Sequence, residues 1–155
     1  MNPEFMRQAV RLSVRMMRQG RGGPFGAIVV KGKRVVGRGC NQVTSIHDPT
    51  AHAEIVAIRD ACRRLGTFQL PDCELYTSCE PCPMCLAAIY WARIPAVYYA
   101  NSRKDAASIA FDDALIYREL ALPIRRRRLV MKRLLADEAI AAFKEWERKT
   151  DKVRY

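Results

Sequence analysis

The sequence predicts an α/β sandwich, a sheet with helices on both faces. Three observations predict it. Short β-branched, apolar runs alternate along the chain with stretches of helical periodicity. No internal repeat and no linker of Gly, Ser or Pro divides it. With 155 residues and 50% hydrophobic content it has the size of one domain, which buries about 70% of its unfolded surface.

From the N-terminus, Asn2 to Gln19 sets Met6, Val10, Val14 and Met17 at helical spacing beside a stripe of arginines. This predicts an amphipathic helix ended by Gly20 to Pro24. Phe25 to Val30 and Val35 to Gly39 are β-branched and apolar on either side of Lys31-Gly32-Lys33, a hairpin. Ala51 to Leu65 is helical and stops at Gly66. Glu74 to Thr77 predicts a strand, Met84 to Ala92 a helix and Ala96 to Ala100 another strand. Asp113 to Leu120 has a helical pattern, and Leu129 to Met131 is expected as a fifth, short strand. Ala136 to Lys149 predicts the last helix, with Leu135, Ala139, Phe143 and Trp146 on one face. Its first turn holds Asp137 and Glu138 and its end Lys144, Arg148 and Lys149, as the helix dipole favours.

Composition excludes several classes of protein. The apolar fraction is too high for a disordered chain, and no apolar run reaches the ~18–20 residues that cross a bilayer. Arg7, Arg11, Arg15 and Arg18 stand where the apolar core of a secretory signal would be, and Glu4 argues against an organelle leader. A soluble cytoplasmic protein is expected. The net charge of +11, from 27 Lys plus Arg against 16 Asp plus Glu, permits an anionic partner. Much of the excess lies in Arg125 to Arg128 and Lys132-Arg133. That run has no interleaved aromatics to stack bases, so a solvated basic surface explains it more simply than nucleic acid does.

The six cysteines are Cys40, Cys62, Cys73, Cys79, Cys82 and Cys85. Without a secretory signal they are expected to stay reduced, which favours metal or catalytic roles over disulfides. Alone, Cys82-Pro83-Met84-Cys85 reads equally well as a thioredoxin-like redox pair. His52-Ala53-Glu54, thirty residues upstream of Cys82 and also at a helix start, changes the balance. His52, Cys82 and Cys85 suit a tetrahedral zinc with one open position. A closed structural site needs a fourth ligand, and His47 and Cys79 fit no common spacing. Pro83 suits the first turn of a helix, whose positive end favours thiolates. Glu54 lies two residues after His52, some 200° around a helix that advances ~100° per residue. The pair can serve one centre only beyond the helix N-terminus, where Asp48-Pro49-Thr50 offers capping residues. The plainer reading makes Glu54 a first-turn carboxylate that complements the dipole.

His-x-Glu followed by Pro-Cys-x-x-Cys is the signature of zinc nucleobase deaminases. The chain resembles, essentially end to end, the bacterial guanine deaminases of the cytidine-deaminase-like fold. The resemblance is carried by Gly22 to Ala27, Asp48 to Glu54, Tyr76 to Cys85, Ala88 to Arg93, Phe111-Asp112-Asp113 with Ile116-Tyr117, and Tyr155. It implies a three-layer α/β/α sandwich with a five-stranded mixed sheet, one zinc on His52, Cys82 and Cys85, and Glu54 as proton shuttle. The implied reaction is hydrolysis of guanine to xanthine and ammonia. It further implies a ring slot flanked by Phe25 and Trp91, Asn41 and Ala53 on the substrate, Asp113 as a second carboxylate near the amine, and Tyr155 closing the pocket. A homodimer in which a segment from about residue 123 to 155 swaps into the partner is also implied, with Leu122-Pro123 as a hinge. The Arg125 to Arg128 run departs from the family pattern.

The nearest rival is a tRNA adenosine deaminase, which shares the zinc core and would suit the positive charge. Tyr90-Trp91-Ala92-Arg93, Phe111-Asp112-Asp113 and the aromatic terminus speak against it. A zinc module without catalysis, or a basic RNA-binding protein, would have no use for Glu54 beside an open metal position.

Overall fold

The computed structural model describes residues 1–154 and divides into two compact units, Met1–Asp113 and Ala114–Tyr155. Unit one runs α1 (Pro3–Arg18), β1 (Gly26–Lys31), β2 (Arg34–Cys40), α2 (Ala53–Leu65), β3 (Cys73–Cys79), α3 (Pro83–Trp91), β4 (Ala96–Asn101) and α4 (Arg103–Ser108). Unit two has α5 (Ala114–Ala121), a 3-10 turn at Ile124–Arg126 and α6 (Ala136–Arg148).

Four strands form one sheet in the order β2-β1-β3-β4. β1 pairs antiparallel with both β2 and β3, and β3 pairs parallel with β4, so the sheet is mixed. The pairing of β1 with β2 shifts between Val29 and Val30, a bulge. The strands alternate between two cores. Ala27, Val29, Cys73 and Leu75 pack with Ala53, Ala57 and Ile89 of α2 and α3, while Ile28, Val30 and Tyr76 pack with Ala9 and Leu12 of α1. Helices therefore cover both faces, as expected.

Among the described residues the sheet has four strands, not five. Leu129 to Met131 forms no strand. The segment is three residues long between two arginine- and lysine-rich stretches, and the adjoining Arg128 N–H donates to Glu119 Oε2 at 2.7 Å instead of to a neighbouring strand. Two further differences concern helices. α4 was not expected; it is started by a capping box between Ser102 and Asp105. α2 begins at Ala53, two residues later than expected, because Asp48 Oδ1 accepts from Thr50 N–H and Oγ1 and does not cap the helix.

In unit two no described residue is buried. Arg127 closes the end of α5, its Nε donating to the Leu122 carbonyl at 3.1 Å and its Nη2 to that of Leu120 at 3.4 Å. Arg128 adds an ion pair to Glu119. Half of the four-arginine run is thus occupied within its own unit. Among the described residues, no helix is long and apolar enough to cross a membrane.

Candidate active site

Two helices begin at the site. His52 is the N-cap residue of α2 and Cys82 that of α3, both in extended backbone, and Pro83 occupies the start of α3. Neither side chain caps its own helix, which leaves both for a third group. Cys85, in the first turn of α3, is buried. The Cys82 and Cys85 sulfurs each lie 3.5 Å from His52 Nδ1, and the three ligand atoms all fall within 4.8 Å of one another. Tetrahedral zinc, at about 2.3 Å from sulfur and 2.0–2.1 Å from nitrogen, sets the two ligand atoms about 3.6 Å apart. The donor set therefore fits zinc with three protein ligands, and a tetrahedral ion would take its fourth from solvent or substrate. Cys79 and His47 stand outside this group. Cys79 lies 3.7 Å from the Ser102 carbonyl, and burial, with the Glu54 charge behind it, raises its pKa to about 11.

The thiols behave as a coupled pair. The Cys85 thiol donates to Cys82, and the His52 ring adds to this against the opposing effect of burial, so Cys82 is drawn down to about 4. Cys85 moves the other way, because it supplies that proton and is itself buried. The Cys82 sulfur raises the pKa of His52.

Glu54 is 6% exposed. Its Oε1 accepts from the Thr77 hydroxyl at 3.1 Å, and the Cys85 sulfur lies 3.4 Å from Oε2. Burial pushes its carboxyl above the usual range. A carboxylate so raised, touching a metal ligand, has the character of a proton carrier. Thr77, at 1% exposure on β3, was not singled out from the sequence. Its signal there is weak: a hydroxyl in an otherwise apolar strand.

The structure also locates the remaining residues. Asn41, just after β2, is buried, and its Oδ1 accepts from the Gly23 and Val43 N–H groups at 3.3 Å each. Phe25 meets Phe111 edge-on, with ring centroids 4.9 Å apart at 87°. Asp113 pairs with Arg103 at 3.3 Å. Burial raises its pKa, Arg103 opposes this, and the charge on Cys82 raises it further, which puts Asp113 within electrical reach of the metal ligands. Ala53 is fully buried at the first position of α2. Trp91, the last residue of α3, is 61% exposed. Tyr155 lies outside the described residues.

Residues 1–101 match the family described as cytidine and deoxycytidylate deaminase zinc-binding region. The chain is 49% identical to the guanine deaminase of Bacillus subtilis (strain 168) over 156 residues, covering 100% of both. An X-ray structure of guanine deaminase from Bacillus subtilis matches with a TM-score of 0.96 at 48% identity, over 100% of this chain and 99% of that one. The tRNA-specific adenosine deaminase of Aquifex aeolicus (strain VF5) is 41% identical over 105 residues, 68% of this chain and 69% of its own. A guanine deaminase structure from Nitrosomonas europaea matches at 32% identity and a TM-score of 0.67, over 71% of this chain and 64% of that one. The matched segment holds all three ligands and Glu54, in a geometry sized for zinc: this chain belongs to the cytidine and deoxycytidylate deaminase zinc-binding family.

Proposed function

We propose that this protein is a zinc-dependent guanine deaminase, hydrolysing guanine to xanthine and ammonia. The observation that carries the reading is Glu54, buried and hydrogen-bonded next to the three-ligand set of His52, Cys82 and Cys85. The choice of guanine is supported by the end-to-end similarity to a guanine deaminase, where the adenosine deaminase relative aligns over only 68% of the chain.

His52, Cys82 and Cys85 hold the metal. Zinc held there would supply an activated water, its pKa lowered from ~15.7 to ~7. Glu54 would take one proton from that water and deliver it to a ring nitrogen of the base; it would then take the second, from the hydroxyl newly bound at the attacked carbon, and pass it to the departing amine. Phe25 and Trp91 flank the ring. Ala53 contributes backbone at the start of α2, and Asn41, its oxygen held by the loop, presents its amide nitrogen to an acceptor on the base edge. Asp113 receives the exocyclic amine. Water plus guanine gives xanthine plus ammonia, and Glu54 ends in the state in which it began.

The working protein is a homodimer of single deaminase domains, in which a segment from about residue 123 crosses to the partner and Tyr155 completes the pocket. The exposure of Leu129, Val130, Leu134, Phe143 and Trp146 supports a covering partner for this segment. A cytoplasmic location suits a purine-converting enzyme.

Ammonia release from guanine, adenine, adenosine, cytidine and a tRNA anticodon stem-loop, measured side by side, tests the assignment. Guanine is expected to be the substrate. Inosine formed in the stem-loop with guanine untouched would move the assignment to a tRNA adenosine deaminase.

A further inference from the structure

We propose that Thr77 is a positioning residue for Glu54, its hydroxyl fixing one carboxylate oxygen so that the other faces the reaction. The proposal rests on the deaminase reading above. Thr77 sits on β3 with Leu75, on the face turned toward α2 and α3. At 1% exposure the site calls for an apolar β-branched side chain, and valine would fill it with the same shape. A buried hydroxyl is costly unless it is hydrogen-bonded. This one donates to Glu54 Oε1 at 3.1 Å.

The geometry gives that bond a consequence. Glu54 enters from the first turn of α2 on a side chain with three rotatable bonds, while Thr77 comes from the sheet, 23 residues away in sequence. The hydroxyl therefore ties the carboxylate to a rigid element other than its own helix. With Oε1 held, Oε2 is the oxygen on the side of the Cys85 sulfur, 3.4 Å away. Proton uptake and delivery then fall to Oε2. Without the hydroxyl, the carboxylate keeps its burial but loses the contact that sets its rotation.

The test compares zinc-loaded wild type with T77V and T77S. In T77V, kcat for guanine is expected to fall about 10- to 100-fold, with KM within about twofold and one zinc per chain retained. In T77S, which keeps the hydroxyl, kcat returns to within about threefold of wild type. A readout independent of turnover is the urea unfolding midpoint of wild type, T77V, E54A and the double variant: the shift caused by T77V should largely disappear when residue 54 is alanine. Wild-type kcat in T77V, a T77S as slow as T77V, loss of zinc in T77V, or additive unfolding shifts would each overturn the proposal. If wild type releases no ammonia from guanine, the assigned function falls, while the unfolding cycle still decides whether Thr77 and Glu54 are coupled.

Discussion

Gly39 lies against the backbone at the start of α2: a Cβ added to it would stand 2.1 Å from the Ala53 carbonyl oxygen and 2.4 Å from the Ala57 nitrogen. Gly37 makes the same kind of approach, 2.4 Å from the Ala57 carbonyl. These obstacles are backbone atoms, not flexible side-chain ends, so α2 can rest this close to β2 only over glycine. The next residue along α2 from Ala53 is Glu54, which makes the packing of a strand glycine a determinant of where the carboxylate sits.

Gly39→Ala is therefore expected to lower stability by about 1–3 kcal/mol, the usual range for overpacking, and to reduce guanine turnover as well. Urea unfolding and ammonia release check the two effects. A variant with unchanged stability and activity would mean that α2 can lift off the sheet at no cost.

Glu54→Ala is expected to retain one zinc per chain and to lose ammonia release by at least the ~10²–10⁴-fold associated with general acid–base catalysis. Metal analysis alongside kinetics separates the two properties. Turnover close to wild type would remove the proton carrier from the mechanism.

Cys82→Ala should lose zinc and activity together, because two ligands and a solvent position make a far weaker site than three. A chelator should inactivate wild type in the same way, with activity restored by zinc and not by magnesium, which takes oxygen ligands. A C82A protein that still holds one zinc and turns over guanine contradicts the assigned ligand set.

Asp60 gives a pH-dependent prediction away from the site. Burial works to raise its pKa, but the Arg64 guanidinium, the Arg38 N–H and Arg63 together outweigh it and hold the carboxyl below 3.8. The contacts are 3.1 Å from the Arg38 N–H, 3.0 Å from Arg64 and 2.5 Å from Arg63. A lowered carboxylate contributes stability above its unfolded value and loses it as pH falls through the lower folded one. Asp60→Asn should thus cost about 1 kcal/mol at pH 7, and wild type and variant should converge below about pH 3.8. A gap that stays constant across that range would rule out the ionised contacts as its source.

Much of the metal centre was legible because its determinants are local. His52-x-Glu54 and Cys82-x-x-Cys85 each sit within one helix start, and Pro83 marks the second start outright. The hairpin was legible for the same reason, two β-branched runs about a Lys-Gly-Lys turn. The start of α2 was misplaced because Asp48 and Thr50 look like a cap in sequence but bond to each other. α4 was missed because it is only six residues long, and its Ser102–Asp105 capping box was its sole marker. The fifth strand failed because apolar content over Leu129 to Met131 says nothing about whether a neighbouring edge exists to pair with. Thr77 was invisible as a functional residue for a different reason: its partner is 23 positions distant, a relation that only the folded sheet creates.

Strand β3 carries two messages on opposite sides. Odd positions look toward the zinc ligands, with Leu75 and then Thr77; even ones look the other way, where the Tyr76 ring packs at a tilt against Phe5 and Ser78 accepts from the Gly26 N–H. Inserting or deleting a single residue ahead of Thr77 would leave the strand's composition nearly unchanged. Parity would nonetheless flip, carrying a tyrosine ring to the side of the zinc ligands and the hydroxyl away from it. Such a frameshift in space would be nearly silent by composition and fatal to chemistry.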